Sequence, residues 1–242
     1  ETAWELPNYG GYNNQYALEH PSPDEITSEQ HNYIENIFRE LDDKSLNPNI
    51  VFSESYQSLI DIPSFVDFII LNELASNADA YQFSTFFHKD RRGKLRAGPI
   101  WDFNLTYGND LFWWGFDRSK YDVWQLTYGN LGSKFWQNLW TNPLFNCYLA
   151  KRWGELTSSG QPLSENEIFE LINQIASLIT EAVNRQALQW GVNVEFDNRI
   201  NNLKSFISQR INWLSSELND TSLCDQISTP ALVISKIHYH PP

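Results

Sequence analysis

The feature that most constrains the fold is a segment from about Pro63 to Ala75 that is apolar on every side. A helix on the surface of a protein keeps one polar face, but this segment repeats large apolar residues around the whole circumference. They are Phe65, Val66, Phe68, Ile69, Ile70, Leu71 and Leu74. The segment therefore predicts a helix at the centre of a core, with other helices packed around it.

Amphipathic helices are predicted on both sides of this central helix. Thr27 and Gln30 have the spacing of a capping box before an apolar face formed by Ile34, Ile37, Phe38 and Leu41. Asn142 followed by Pro143 is typical of a helix start. Ser164 and Glu167 indicate another capping box, and the helix after them should pack through an apolar seam of Ile168, Leu171, Ile175, Leu178 and Ala182. A last helix repeats the same spacing from Ile200 to Leu218.

One β-hairpin interrupts the helical pattern at about residues 81–98. Strand-forming residues run from Tyr81 to His88, a turn occupies Asp90 to Gly93, and a short return strand follows from Lys94 to Gly98. The fold class predicted from the sequence is therefore mainly α with a small β-hairpin (α+β).

The charge balance excludes several classes of function. The chain has 17 Lys and Arg against 30 Asp and Glu, a net charge of −13, so a nucleic-acid partner is not expected. No run of about 18 apolar residues is present, so no membrane span is expected. Cys147 and Cys224 are too few for a disulfide-rich scaffold or an all-cysteine zinc site. From the sequence alone, the two cysteines could form one disulfide bridge or be two buried thiols.

Two acidic residues flank the predicted hairpin and form the candidate site. Asp79 follows the central helix, and Asp102 comes after the return strand. Because a hairpin folds back on itself, its two flanks lie side by side. Paired carboxylates can then divide two tasks, one acting on a nucleophile and the other holding a divalent cation on phosphate oxygens. The alternative is structural: both residues also suit turns or helix caps.

The central motif resembles the CotH family of spore-coat-protein-H-like atypical kinases. The resemblance rests on Asn77-Ala-Asp79 and on Gly93-Lys-Leu-Arg-Ala-Gly-Pro-Ile-Trp-Asp102-Phe-Asn104 with Gly108, and extends over about residues 15–218. It implies the helical C-lobe of a protein-kinase-like fold that uses Mg²⁺ and ATP. By position, Asp79 would be the catalytic residue, and Asp102, Ser84 and Asn104 would hold the metal. Ser84 stands where many relatives carry Asn, and Asn104 stands where the family carries Asp.

The same resemblance predicts how the chain is divided. Residues 1–24 would be a remnant of the N-terminal lobe with a linker, 25–220 the kinase-like lobe, and 221–242 a linker with the first strand of a following domain. The last strand is similar to the opening of lamin-tail-like domains in secreted bacterial proteins. The nucleotide-binding residues are expected mostly upstream of Glu1, so the isolated chain should fold but be inactive. A secreted or cell-surface bacterial location is implied, which slightly favours a Cys147–Cys224 disulfide.

Two kinds of function remain open from the sequence. The first is Mg²⁺- and ATP-dependent phosphoryl transfer to a Ser or Thr hydroxyl of a protein substrate, carried out by the full-length protein with its further domains. The alternative is a non-catalytic secreted surface module, either a structural coat or scaffold protein or a binder of surface glycans. A glycan binder would use aromatic side chains, of which the candidates are Trp101, Trp113, Trp114 and Trp124.

Overall fold

The computed structural model describes residues 3–8, 11–46, 55–109, 117, 119–129, 131–192, 194–219, 221 and 224. Within them lie four strands, β1 (Ala3–Pro7), β2 (Asn13–Ala17), β3 (Thr85–His88) and β4 (Arg96–Ile100). The helices are α1 (Ser28–Ser45), α2 (Ile62–Ala75), α3 (Lys134–Thr141), α4 (Pro143–Thr157), α5 (Glu165–Trp190) and α6 (Phe196–Glu217). The predicted fold class, mainly α with a small β component, is confirmed.

Helix α2 is the centre of the core, as its composition predicts. The side chain of Asp61 caps its first turn by accepting the Ser64 N–H at 3.0 Å. Phe65, Ile69 and Ile70 are almost completely buried, and α2 packs against β4, α4 and α6. The site described below is built at the C-terminal end of this helix, on the best-packed element of the molecule.

The two helix starts read from capping residues are confirmed in α1 and α4. The Thr27 side chain accepts the Gln30 N–H at 3.3 Å, and the Gln30 side chain accepts the Thr27 N–H at 2.9 Å, which completes a capping box. The Asn142 side chain accepts two N–H groups of the first turn of α4. These local signals were sufficient because each cap involves residues only two or three positions apart.

Strands β1 and β2 form a second hairpin, in the segment 1–24 that was expected to be a remnant of the N-terminal lobe with a linker. They pair antiparallel from Ala3 opposite Ala17 to Pro7 opposite Asn13. Trp4 enters the core, where its ring packs on Tyr16 and Phe38. The Tyr16 hydroxyl and the Ser133 Oγ are 2.7 Å apart, which fixes this hairpin to the start of α3. The expectation of a single hairpin was therefore wrong, because this pairing depends on contacts with distant helices.

The hairpin of β3 and β4 lies near the predicted place but begins later. Thr85 pairs with Ile100, and His88 pairs with Arg96. The predicted first strand began at Tyr81, but the residues before Thr85 form a turn in which Tyr81 is buried. This pairing places residues 84 and 101 next to the open end of the hairpin.

Helix α5 packs against the core through a largely different face from the one predicted. Most of the predicted seam faces away from the core, since Leu171, Ile175 and Leu178 are exposed, Leu178 by 82%. Ile168 of the seam does pack against the core, together with Phe169 and Ile172, and the helix contacts α6. Ser164 precedes the helix, but its side chain makes no capping hydrogen bond. The capping box and the seam beyond Ile168 were therefore wrong, although the helix itself is present.

A disulfide joins Cys147 of α4 to Cys224, with Cα atoms 5.3 Å apart. The slight preference for a bridge is thus confirmed, and the bond closes a loop that contains α5 and α6. The predicted strand from Ala231 to His240 lies outside the described residues. None of the described helices is long and apolar enough to cross a lipid bilayer.

Candidate active site

The C-terminal end of α2 is held by two buried asparagines. The Asn72 side chain donates to the Phe68 carbonyl at 2.9 Å, and the main-chain carbonyl of Asn72 accepts the Asn77 N–H at 2.9 Å. The side chain of Asn77 also donates to that of Asn72 at 3.0 Å. Ser76, between them, has φ 52° and ends the helix in the left-handed conformation. The chain therefore leaves α2 in a fixed direction.

Asn77 also sets the backbone of Asp79. Its Oδ1 accepts the Asp79 N–H at 3.2 Å, the bond of an Asx turn. Because both asparagine side chains are almost fully buried, this turn is anchored in the core, whereas Asp79 itself is only half-buried. This explains the Asn-x-Asp spacing physically: the first residue positions the second.

The turn that follows brings Ser84 back to Asp79. The Asp79 carbonyl accepts the N–H groups of Phe83 at 3.1 Å and of Ser84 at 3.2 Å. Between them Tyr81 has φ 69° and donates its hydroxyl to Glu73 Oε1 at 3.0 Å. The candidate catalytic residue and one candidate metal ligand are thus joined by a single backbone hydrogen bond.

Asp102 reaches the same end of α2 through β4. It lies two residues beyond Ile100, whose partner Thr85 directly follows Ser84. The loop after it returns to α2, because the Tyr107 N–H donates to the Ala75 carbonyl at 2.6 Å. The backbone of Asp102 has φ 59° and its side chain is exposed. The structure therefore brings Asp79, Ser84 and Asp102 to neighbouring turns, and exposed Asn104 lies in the same loop as Asp102.

Backbone strain is concentrated in these turns. Four of the five non-glycine residues with left-handed φ in the described part of the chain lie here, and the fifth is Glu195. The four are Ser76, Tyr81, Asp102 and Tyr107. Such conformations cost energy and persist only where the surroundings enforce them, typically at functional sites. The segments that carry the candidate residues are therefore held in unfavourable conformations by the core beneath them.

A buried ion pair under the site was missed by the sequence reasoning. Arg210 of α6 donates to Glu73 Oε2 at 3.0 Å and to the Glu73 carbonyl at 2.8 Å, and both side chains are almost completely buried. The carboxylate also accepts the N–H groups of Gln125 and Leu126 at 2.8 Å and the hydroxyl of Tyr81. The pair connects α2, α6, the residue 121–126 segment and the turn that carries Asp79.

The electrostatics of this pair are governed by burial. Burial raises the pKa of Glu73, while the charge of Arg210 and the N–H donors act in the opposite direction. Burial likewise lowers the pKa of Arg210.

The sequence did contain a signal for this pair, because Glu73 is a charged residue inside an apolar helix. Such residues are almost never buried without a partner. The partner lies 137 positions away and could not be identified from spacing.

The candidate metal ligands fit a hard cation that is also bound by phosphates. They offer one carboxylate, one hydroxyl and one amide oxygen, and Mg²⁺ is commonly held by one or two carboxylates plus substrate phosphates. Within the part of the chain that the structure describes, Asp102 has no Lys or Arg within ion-pair distance. The described residues include no cluster of three or more His, Cys, Asp or Glu that could hold a metal by itself. The donor set thus fits Mg²⁺ bound together with a nucleotide.

The four tryptophans considered for glycan binding do not form one described surface. Trp101 is 61% exposed beside Asp102. Trp124 instead packs against Trp140 and Trp213, with ring centroids 4.2 and 4.9 Å apart. Trp113 and Trp114 lie outside the described residues. Trp101 is therefore the member of the set that the structure shows to be available to a ligand.

Comparison with known proteins agrees with the motif. A family model described as CotH kinase protein matches residues 6–214, which is most of the chain. No match was found among curated proteins or among solved structures. The matched region contains Asp79, Ser84, Asp102 and Asn104, together with the buried pair of Glu73 and Arg210.

Proposed function

Since this chain belongs to the CotH kinase family, we propose that in the full-length protein it catalyses Mg²⁺- and ATP-dependent phosphoryl transfer to a protein hydroxyl. The observation that supports this proposal is the convergence of three oxygen-bearing residues at one end of α2. Asp79 and Ser84 share a backbone hydrogen bond, and Asp102 lies two residues beyond Ile100, the strand partner of Thr85.

Asp79 is proposed to act on the acceptor. A carboxylate in this role orients the accepting hydroxyl and takes its proton as transfer proceeds. Its backbone N–H and carbonyl are both hydrogen-bonded, to Asn77 and to the turn at Phe83 and Ser84. Fixed positioning of this kind reduces the reorganisation needed to reach the transition state.

Asp102, Ser84 and Asn104 are proposed to hold the metal. When bound, Mg²⁺ would supply positive charge to the phosphate oxygens. Asp102 contributes the carboxylate and Ser84 a neutral hydroxyl, and Asn104 offers an amide oxygen from the same exposed loop. One charged ligand among three gives weak binding of the free cation, so metal binding should depend on the nucleotide.

A secreted or cell-surface location is part of the proposal. The Cys147–Cys224 disulfide supports it, because disulfides persist in oxidising compartments and are rare in the cytosol. A non-catalytic module that binds surface glycans is the second candidate, favoured by the exposure of Trp101. The two candidates differ in one respect that can be measured: only the first requires both Asp79 and Asp102.

The test uses the full-length protein with three variants. Asp102→Ala should abolish Mg²⁺-dependent ATP binding, measured by calorimetry. Asp79→Ala should leave ATP binding intact and lower the transfer rate by about 10²–10⁴-fold. Asp67→Asn, which changes a half-exposed carboxylate on α2 that pairs with Arg152 away from the site, is the control and should retain both activities. Wild-type transfer that survives both alanine substitutions would overturn the proposal.

A further inference from the structure

The turn that carries Asp79 also presents an exposed aromatic side chain. Tyr81 points into the core, where it is 2% exposed and bonded to Glu73. Phe83, two residues later, is 61% exposed. The turn therefore directs one ring inward as an anchor and leaves a second ring in solvent next to the half-buried Asp79.

The position of Phe83 is fixed by its backbone. Its N–H donates to the Asp79 carbonyl at 3.1 Å, and its own carbonyl accepts the Thr85 N–H at 2.7 Å at the start of β3. A Phe residue that is 61% exposed gains only part of the free energy that full burial of its ring would give. The backbone of Phe83 is fixed and its ring is exposed near Asp79, so a ligand bound at Asp79 would cover more of the ring.

We propose that Phe83 determines acceptor specificity by contacting an apolar or aromatic side chain next to the accepting hydroxyl of a peptide. This inference rests on the proposed function, which assigns Asp79 to the acceptor and Asp102 to the metal and nucleotide. Phe83 lies between Asp79, to whose carbonyl its N–H donates, and the proposed metal ligand Ser84. Its ring therefore borders the place where the acceptor hydroxyl at Asp79 would meet the metal-bound phosphate.

The charges around the turn narrow the class of acceptor. No Lys or Arg occurs between Lys44 and Lys89, so this part of the chain supplies no cation for an acidic peptide. The net charge of −13 also repels acidic segments. The side-chain oxygen of Gln82, beside Phe83, is already hydrogen-bonded within the protein, since it accepts the Leu131 N–H at 3.4 Å. A neutral or basic peptide with an apolar residue therefore fits better than an acidic peptide or a sugar, which needs several polar partners.

The experiment compares acceptors and variants in the full-length protein. Peptides with one Ser and one neighbouring position varied among Phe, Leu, Ala, Arg and Glu are assayed for phosphoryl transfer, and their binding without ATP is measured by fluorescence polarisation. Wild type should prefer the Phe and Leu peptides by roughly 10-fold or more in kcat/KM, the value expected for burying one ring. Phe83→Ala should remove this preference, Phe83→Leu should keep most of it, and Tyr12→Ala, at another exposed aromatic residue, should not affect it.

The two assays separate failure of this inference from failure of the proposed function. Binding that prefers apolar peptides and depends on Phe83, in a protein that transfers no phosphate, would support the inference as a binding site and refute the kinase activity. A peptide preference unchanged by Phe83→Ala would overturn the inference alone. Binding of oligosaccharides but no peptide, or binding of neither, would also overturn it.

Discussion

The buried pair of Glu73 and Arg210 allows a quantitative test of what holds the site in place. Replacing Arg210 by Met keeps a long apolar stem but removes every donor of the guanidinium group. Four oxygen atoms then lose a donor: the Glu73 Oε2, and the main-chain carbonyls of Glu73, Tyr121 and Val123. The Glu73 carboxylate remains buried with its charge uncompensated.

The expected loss of stability follows from these contacts. Removing one partner of a buried ion pair costs about 3–5 kcal/mol. Three donors to the Glu73 carboxylate remain, from Tyr81, Gln125 and Leu126, and Tyr121 is partly exposed, so water can replace the lost bond there. These compensations favour the lower part of the range, about 3–4 kcal/mol. Glu73→Gln in the same background should recover part of the loss, because it removes the unpaired charge.

The pH dependence of this loss has a defined sign. Arg210 lowers the pKa of Glu73 against the effect of burial, so its removal should raise that pKa further. A group with a raised pKa in the folded state contributes stability at low pH, and this contribution is lost as the pH rises through that pKa. The deficit of Arg210→Met should therefore be largest near neutral pH and should shrink as the pH falls and Glu73 is protonated.

Urea unfolding followed by circular dichroism measures both effects. The matched control is Arg152→Met, which breaks a half-exposed pair with Asp67 and should cost about 1 kcal/mol or less. Equal losses for Arg210→Met and Arg152→Met would refute the reasoning. A deficit that grows as the pH falls would refute the assignment of an unpaired Glu73 carboxylate.

Three further predictions concern the same framework. Gly108→Ala should cost about 1–3 kcal/mol in urea unfolding, because Gly108 has φ 74° and an added Cβ would lie 2.8 Å from the Phe206 ring. Cys147→Ser should cost about 4 kcal/mol, since the disulfide to Cys224 spans 77 positions; reduced wild type should then match the variant. Asn77→Ala should cost about 1–3 kcal/mol and speed amide hydrogen exchange in the turn that follows α2.

Local signals in the sequence predicted the elements of this fold well. The capping box of Thr27 with Gln30 and the Asn142-Pro143 start were both confirmed, because a cap is decided by neighbours in the chain. The all-apolar segment correctly placed α2 at the centre of the core, since such a helix has no face to offer to water.

Predictions that needed a partner in space were less successful. The periodicity around Leu178 indicated a helix, but α5 has apolar residues on more than one face, and spacing does not say which one meets α6. The hairpin of β1 and β2 depends on packing of Trp4 against Phe38 and was not predicted as a hairpin.

In the candidate site, too, local features were easier to predict from the sequence than contacts between distant residues. The hairpin predicted that the flanks holding Asp79 and Asp102 lie side by side. The pairing of Thr85 with Ile100 brings the two strand ends together, and the spacing of the two carboxylates stays a prediction. The Asx turn of Asn77 is local, since its donor and acceptor are two positions apart, but it was not predicted from the Asn-x-Asp motif. The support from Arg210 was not predictable, because two residues 137 positions apart show no common pattern in a single sequence.

The most direct test of the central proposal is the position of a bound metal. A crystal structure of the full-length protein with Mn²⁺ and a non-hydrolysable ATP analogue would locate the ion by anomalous scattering. We expect the ion on a carboxylate oxygen of Asp102 at about 2.0–2.2 Å, with the Asp79 carboxylate on the order of 5–10 Å from that of Asp102 and facing the terminal phosphate. An ion bound elsewhere, or Asp79 and Asp102 on opposite faces of the domain, would contradict the proposed active site.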